Sequence, residues 1–222
     1  MHTIVSLEIA GYNGRSLANR FFRQDGTADW LALVLPGMGY TAAMPLLFYP
    51  TNLLLDLGAD VLLVNYDLDR EPAYQRATSQ ERRRWLAADT TAAYAAGQAQ
   101  SVYRRLTLVG KSICTLAMTD LLPQASAQCT QCVSLTPLLT NTELRAAIIQ
   151  HPLPSLFAIG TADPFYDPAL LDELRRATGG EALVFEGADH GLMLGGDVEG
   201  AIAIMGRLIA ALRRFLATPP RA

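Results

Sequence analysis

The stretch LTLVGKSICTLAM, residues 106–118, decides how this chain is read. Its "GKS" has the look of a phosphate-binding loop, G-x-x-x-x-G-K-[ST], which opens on a glycine five residues before the second. Counting back from Gly110 reaches Arg105, and Leu106, Thr107, Leu108 and Val109 lie between. Those residues favour a buried strand over an anion-cradling loop. The alternative is a strand that turns sharply into a helix and carries an exposed serine at the turn. Gly110-Lys111-Ser112-Ile113-Cys114 fits that G-x-S-x-G geometry, with Cys114 in place of the second glycine. Cysteine is small and often buried, so the substitution keeps the mechanics of a turn that brings strand and helix close. Lys111 lies on the other side of Ser112 from Cys114 and is expected to point elsewhere, so it gives that thiol no electropositive setting.

The 222 residues, 50% of them hydrophobic, suit one well-buried domain, here 1–217, followed by a flexible tail at 218–222. A formal net charge of -3 offers no basic surface to nucleic acid. Met1-His2-Thr3-Ile4-Val5 lacks a basic segment leading into a signal-peptide core. No apolar run approaches the roughly 18 residues of a membrane span. Three cysteines, an odd number, do not make a disulfide framework, and a cytoplasmic location is expected. Cys129-Thr130-Gln131-Cys132 is a C-x-x-C, yet it leads into a strand rather than opening a helix. Cys114, His2, His151 and His190 show no second paired spacing for zinc. The pair reads as small residues at a strand start, and neither metal nor organic cofactor is expected.

Elements alternate regularly along the chain. Residues 3–10 and 16–23, joined by Gly11-Tyr12-Asn13-Gly14, read as an antiparallel hairpin. "WLALVLP" is a buried strand, followed by a helix near 43–57 that Gly58 closes. "DVLLVNY" is the next strand. Thr78-Ser79-Gln80-Glu81 resembles a capping box at the head of a long Ala-rich helix reaching about 99. Its Arg82-Arg83-Arg84 run reads as a solvated helix face. The strand before Ser112 and its helix follow, then "CVSLTP", a helix at 141–150 with His151 at its end, and "PSLFAIG". The chain closes with "PALLDELRRAT", "EALVFEG" and a helix near 197–216. Strands alternating with helices predict an α/β architecture: a mainly parallel sheet covered on both faces, preceded by the hairpin.

Ligands bind such sheets beyond the carboxyl ends of the strands. Three reactive residues sit at those ends: Ser112 after one strand, Asp163 in "GTADPFYDP" after "LFAIG", and His190 in "GADHGLML" after "LVFEG". On "VGKSIC", "IGTADPFYDP", "GADHGL" and "LPGMGY", the sequence resembles the α/β-hydrolase family over nearly its whole length, and Ser-Asp-His is that family's chain order. It departs from the family pattern at Cys114 and at Pro36, where many members have a histidine before the glycine.

The resemblance implies a serine hydrolase without cofactor. Ser112 would be the nucleophile, His190 its base, and Asp163 the group that orients the imidazole. Asp167 competes with Asp163 but precedes Pro168 and suits a helix cap, while Asp189 adjoins His190 too closely to face it well. The backbone N–H groups of Ile113 and of Met38, with Gly39 as the alternative to Met38, would form the oxyanion hole. The segment between "CVSLTP" and "PSLFAIG" has room for one helix only, so the lid that the family often inserts there is absent. An open cleft is expected, rimmed by Tyr40, Tyr66, Thr136, Tyr166 and Leu192. The implied substrate is a small ester or thioester, or an amide. A dienelactone-type enzyme would need its Cys nucleophile at position 112, two residues before Cys114. The competing expectation is a catalytically idle fold used for binding or assembly. Nothing in the sequence sets the oligomeric state.

Overall fold

The computed structural model describes residues 1–65, 68–125 and 129–217; Tyr66 and the expected tail at 218–222 lie outside these. The chain begins with β1 (His2–Val5) and β2 (Asn19–Gln24), which pair antiparallel from His2↔Gln24 to Val5↔Phe21. The isolated Ala10↔Ser16 bridge continues the same register toward the turn. The ladder is shorter than the sequence pattern because a side chain replaces part of it. Asn19 Oδ1 accepts from Leu7 N at 2.9 Å, and Asn19 Nδ2 donates to Leu7 O at 2.8 Å.

There follow β3 (Trp30–Leu35), α1 (Pro45–Asp56), β4 (Asp60–Val64), α2 (Pro72–Arg76) and α3 (Ser79–Gln98). Next come β5 (Arg105–Lys111), α4 (Ile113–Thr119), α5 (Leu122–Ala125) and β6 (Cys129–Leu135). The last are α6 (Thr142–Gln150), β7 (Ser155–Gly160), α7 (Pro168–Thr178), β8 (Glu181–Phe185) and α8 (Val198–Ala217). The eight strands form one sheet in the order β1-β2-β4-β3-β5-β6-β7-β8. β2 runs antiparallel to β4, and every pairing from β4 to β8 is parallel. Strand order reverses between β3 and β5, and the crevice beyond their carboxyl ends is where such a sheet accepts a ligand.

Period-two alternation divides the core between the faces. In β7, Leu156 and Ala158 point to the cluster that contains α1 and α8 residues, while Phe157 and Ile159 point to α6 and α7. In β5, Val109 faces the first side, and Leu106 and Leu108 face α3 and α4. Between β6 and β7 the one helix is α6, so no cap domain covers the carboxyl edge.

Helix ends follow the local chemistry. The Thr78/Glu81 capping box opens α3, Asn141 Oδ1 caps α6 at Leu144 N, and His151 is the residue that ends α6. The short α2 carries no sequence periodicity of its own; Pro72 at its start and the Glu71 side chain on Ala73 N define it. The arginine run is not a solvated face. Arg83 forms ion pairs with Asp120 and Glu143, tying α3 to the end of α4 and to α6, and Arg82 Nε donates to Tyr74 O at 2.9 Å. Only Arg84 of the three stays exposed. Cys132 is buried on β6, whereas the Cys129 side chain is outside the described set.

Candidate active site

Ser112 stands at the junction of β5 and α4 with φ 53° and ψ -121°, a backbone conformation that costs on the order of 1–3 kcal/mol and must be held by its surroundings. Three bonds hold its backbone: Ser112 N donates to Leu135 O on β6 at 3.0 Å, and Thr115 N and Oγ1 donate to Ser112 O at 2.9 and 2.6 Å. Gly110 permits the turn, because a Cβ there would lie 2.8 Å from Cys114 O. Cys114 itself sends its side chain into the core with Leu106, Leu108 and Met118, where it is fully buried. Burial pushes the thiol well above its ordinary pKa, which favours the neutral SH over the reactive thiolate.

The loops after β7 and β8 are laced together. Thr161 N donates to Phe185 O and Ala162 N to Ala188 O, both at 3.0 Å. Gly160 allows this approach, since a Cβ there would sit 1.9 Å from Ala188 O. His190 then has Nδ1 2.7 Å from Asp163 Oδ2 and Nε2 2.8 Å from Ser112 Oγ. A carboxylate only accepts, so Nδ1–H is the donor to Asp163 and neutral Nε2 is left as the acceptor for the serine proton. Asp163 Oδ1 accepts from Phe165 N at 2.9 Å, so both carboxylate oxygens are engaged. The Phe165 ring lies 5.4 Å from the imidazole, a neighbour that the sequence pattern does not single out.

The competing carboxylates have other work. Asp167 caps α7 through Ala169 N and Leu170 N. Asp189 accepts from Gly191 N and Met193 N and shapes the loop that presents His190. Among the described residues, the amides of Met38 and Ile113 have no bonded acceptor. Met38 lies in a turn that Tyr40 N closes on Gly37 O at 3.3 Å.

The expected rim needs correction. Thr136 and Leu192 are buried, 0% and 1% exposed, because each occupies a tight turn at positive φ (46° and 55°) that turns its side chain inward. Tyr40 is anchored, with its hydroxyl accepting from Leu46 N at 3.0 Å. Tyr166 is half-buried against the α6–α7 cluster. Tyr66 is outside the described residues. Two exposed side chains belong to the loops that carry the site: Met38 at 45% in the oxyanion turn and Met193 at 46% in the His190 loop. Lys111 makes contacts that the sequence does not suggest. It is buried, with Nζ 3.2 Å from both Thr136 Oγ1 and the His190 carbonyl oxygen. Strand alternation carried the signal, since Lys111 must share a face with Val109, below the oxyanion turn.

No protein-family model matches the chain, and no curated protein matches it in sequence. Solved structures do. The fold is similar to that of an esterase from Pyrococcus furiosus, with 14% identity, TM-score 0.71, 97% of this chain and 91% of that one covered. A lid-less α/β serine hydrolase from Xanthomonas campestris matches at 18% identity and TM-score 0.68, over 99% of this chain and 97% of that one. An α/β serine hydrolase homologue from Coxiella burnetii matches at 17% identity and TM-score 0.67, over 98% and 97%. The chain therefore has the α/β-hydrolase fold without a cap domain.

Proposed function

We propose that the chain is a serine hydrolase that cleaves small ester or thioester bonds, with amides as a further possibility of the same chemistry, through an acyl-enzyme on Ser112. The observation that carries this reading is the unbroken chain Asp163–His190–Ser112 at 2.7 and 2.8 Å, ending on a serine held at positive φ. A serine hydroxyl is a poor nucleophile without a base in reach. His190 Nε2 takes the proton as Oγ attacks the carbonyl carbon, then returns it to the leaving oxygen or sulfur. Water repeats the cycle on the acyl-enzyme. Asp163 holds the tautomer and stabilises the imidazolium that forms. The Ile113 and Met38 amides supply the donors for the developing oxyanion.

An apolar groove on the neighbouring surface is the candidate place for an acyl group. A groove of about 420 Å³ runs between the first turns of α1 and α8, lined by Pro45, Tyr49, Met193, Ile202 and Met205 among others. Met193 belongs to the His190 loop, and Pro45 follows the oxyanion turn. The test is covalent labelling by a fluorophosphonate together with hydrolysis of p-nitrophenyl esters of graded acyl length. Labelling at Ser112 that the Ser112→Ala variant loses is the expected result. A native protein that neither labels nor turns over any ester would sink the reading.

A further inference from the structure

Of the 18 cationic residues in the chain, a single one is a lysine, and it is the residue next to Ser112. Lys111 is also the one Lys or Arg that is buried among the described residues, at 2% exposure. Every other Lys or Arg position is an arginine, including those that form the side-chain ion pairs on the surface. An ammonium at this place is therefore not a by-product of composition.

β5 sends Lys111 to the α1/α8 side, where its stem passes beside Gly37 of the oxyanion turn. Nζ donates to Thr136 Oγ1 and to His190 O, each at 3.2 Å, and stands 4.5 Å from the centre of the Tyr40 ring. Thr136 is itself held in its positive-φ turn, with its N–H on Ala158 O at 2.7 Å. One side chain thus joins the elbow to the turns after β3 and β6 and to the His190 loop. A compact ammonium with three donors meets two oxygens and a ring face here; a planar guanidinium with its fixed fork would not.

We propose that Lys111 is a positioning residue for the triad, whose ammonium fastens the His190 loop to the nucleophile elbow and so holds the imidazole in reach of Ser112 Oγ. The proposal rests on the serine-hydrolase reading for its kinetic consequence and not for its geometry. The titratable groups that act on Lys111 are the carboxylates of Asp163 and Asp189, the Tyr40 phenol and His190 on its own side, and the Cys114 thiol from the opposite face of the sheet. Burial outweighs the anionic neighbours and brings the lysine from 10.5 down to about 8. The Tyr40 phenol is moved upward by its own burial and stays neutral in this range. The charged fastening is therefore present at neutral pH; as pH rises through about 8 the amine that remains holds its two oxygens more weakly and loses its attraction to the Tyr40 ring.

The sole lysine makes the test direct. Protein labelled with ¹³C,¹⁵N-lysine carries one lysine side-chain signal, and its titration is followed beside kcat/KM for p-nitrophenyl butyrate. The expected result is a midpoint near 8 that coincides with an alkaline fall in activity. Lys111→Met should lower kcat by about tenfold to a hundredfold with KM little changed, the size of effect that a misplaced catalytic group produces, and should remove that alkaline limb. It should also melt higher than the wild type below pH 8, because an apolar side chain replaces a buried charge. The sign follows from the lowered pKa: above 8 the unfolded chain binds the proton that the folded one has lost. Wild-type stability thus rises toward 10.5, and the variant's advantage fades. A residue needed only for packing would lose stability and activity together. A lysine signal that titrates near its ordinary value, or a Lys111→Met enzyme with wild-type kcat and pH profile, overturns the proposal. If that variant does not fold, Thr136→Val removes one acceptor and should shift the lysine midpoint; no shift counts against it. Absence of all esterase activity with the lysine still titrating near 8 would strike the hydrolase reading and leave the fastening standing.

Discussion

Asp163 and Asp89 are buried almost equally, 4% and 3% exposed, yet they sit in different kinds of place. Asp163 lies on the loop after β7 and meets an imidazole that can gain a proton. Asp89 lies within α3 and accepts from Tyr12 N in the hairpin turn at 2.6 Å, fastening the N-terminal hairpin to the helix layer. One carboxylate faces a group whose charge can change; the other faces a backbone amide whose charge cannot. Burial makes both expensive, and the partner decides which of them can do chemistry.

The sharpest way to break this comparison is at the catalytic edge. Ser112→Ala and His190→Ala should each lower ester hydrolysis on the order of 10⁴-fold or more with the fold intact, since loss of nucleophile or base removes the whole relay. Asp163→Asn should come close, as the wrong tautomer then faces the serine. Initial rates with matched circular dichroism spectra check all three; wild-type turnover by Ser112→Ala would end the mechanism.

Asp89→Ala should do the reverse. Leaving the Tyr12 amide without its acceptor should cost about 1–3 kcal/mol of stability, with turnover per folded molecule unchanged. Desolvation raises the Asp89 pKa, so the folded state holds that proton more tightly than the unfolded chain does. The group then contributes more stability as pH falls, and the deficit of the Ala variant should widen from pH 7 toward 4 in urea melts. A variant that lost activity in proportion to stability would blur the distinction between the two carboxylates.

Cys114 adds a third buried titratable group, one with neither kind of partner. Cys114→Ala should keep activity within about tenfold, or about 1.4 kcal/mol of barrier, whereas Cys114→Leu should overpack the α3–α4 core and displace Ser112. Peroxide sensitivity measured on wild type and Cys114→Ala should be the same. An inactivation that the Ala variant escapes would make the thiol functional. The smallest effect belongs to Asp167→Asn, which keeps a capping oxygen for α7 and should leave kcat/KM unaltered within about twofold. A loss as large as that of Asp163→Asn would move the orienting acid to Asp167.

The order of strands and helices, the arrival of Ser112, Asp163 and His190 each just after a strand, and the capping box at Thr78 were legible because each depends on residues close in sequence. The bounds of α7 follow from Asp167, Pro168 and Gly179 alone, and the elbow from the spacing around Ser112. Side chains whose direction is set by turns were not legible. Thr136 and Leu192 looked like rim residues, and positive φ turned them inward. Arg83 looked solvated, and the approach of Asp120 and Glu143 from other helices made it a clamp.

Local pattern, then, determined which elements form and which residues arrive at the carboxyl edge of the sheet, because periodicity, capping and turn chemistry act over a few residues. Tertiary structure decided which carboxylate meets the imidazole, among Asp163, Asp167 and Asp189, and where the single lysine spends its charge. Those outcomes depend on groups far apart in the chain, Lys111 with His190 and Asp89 with Tyr12, whose separation is closed only when the sheet is assembled.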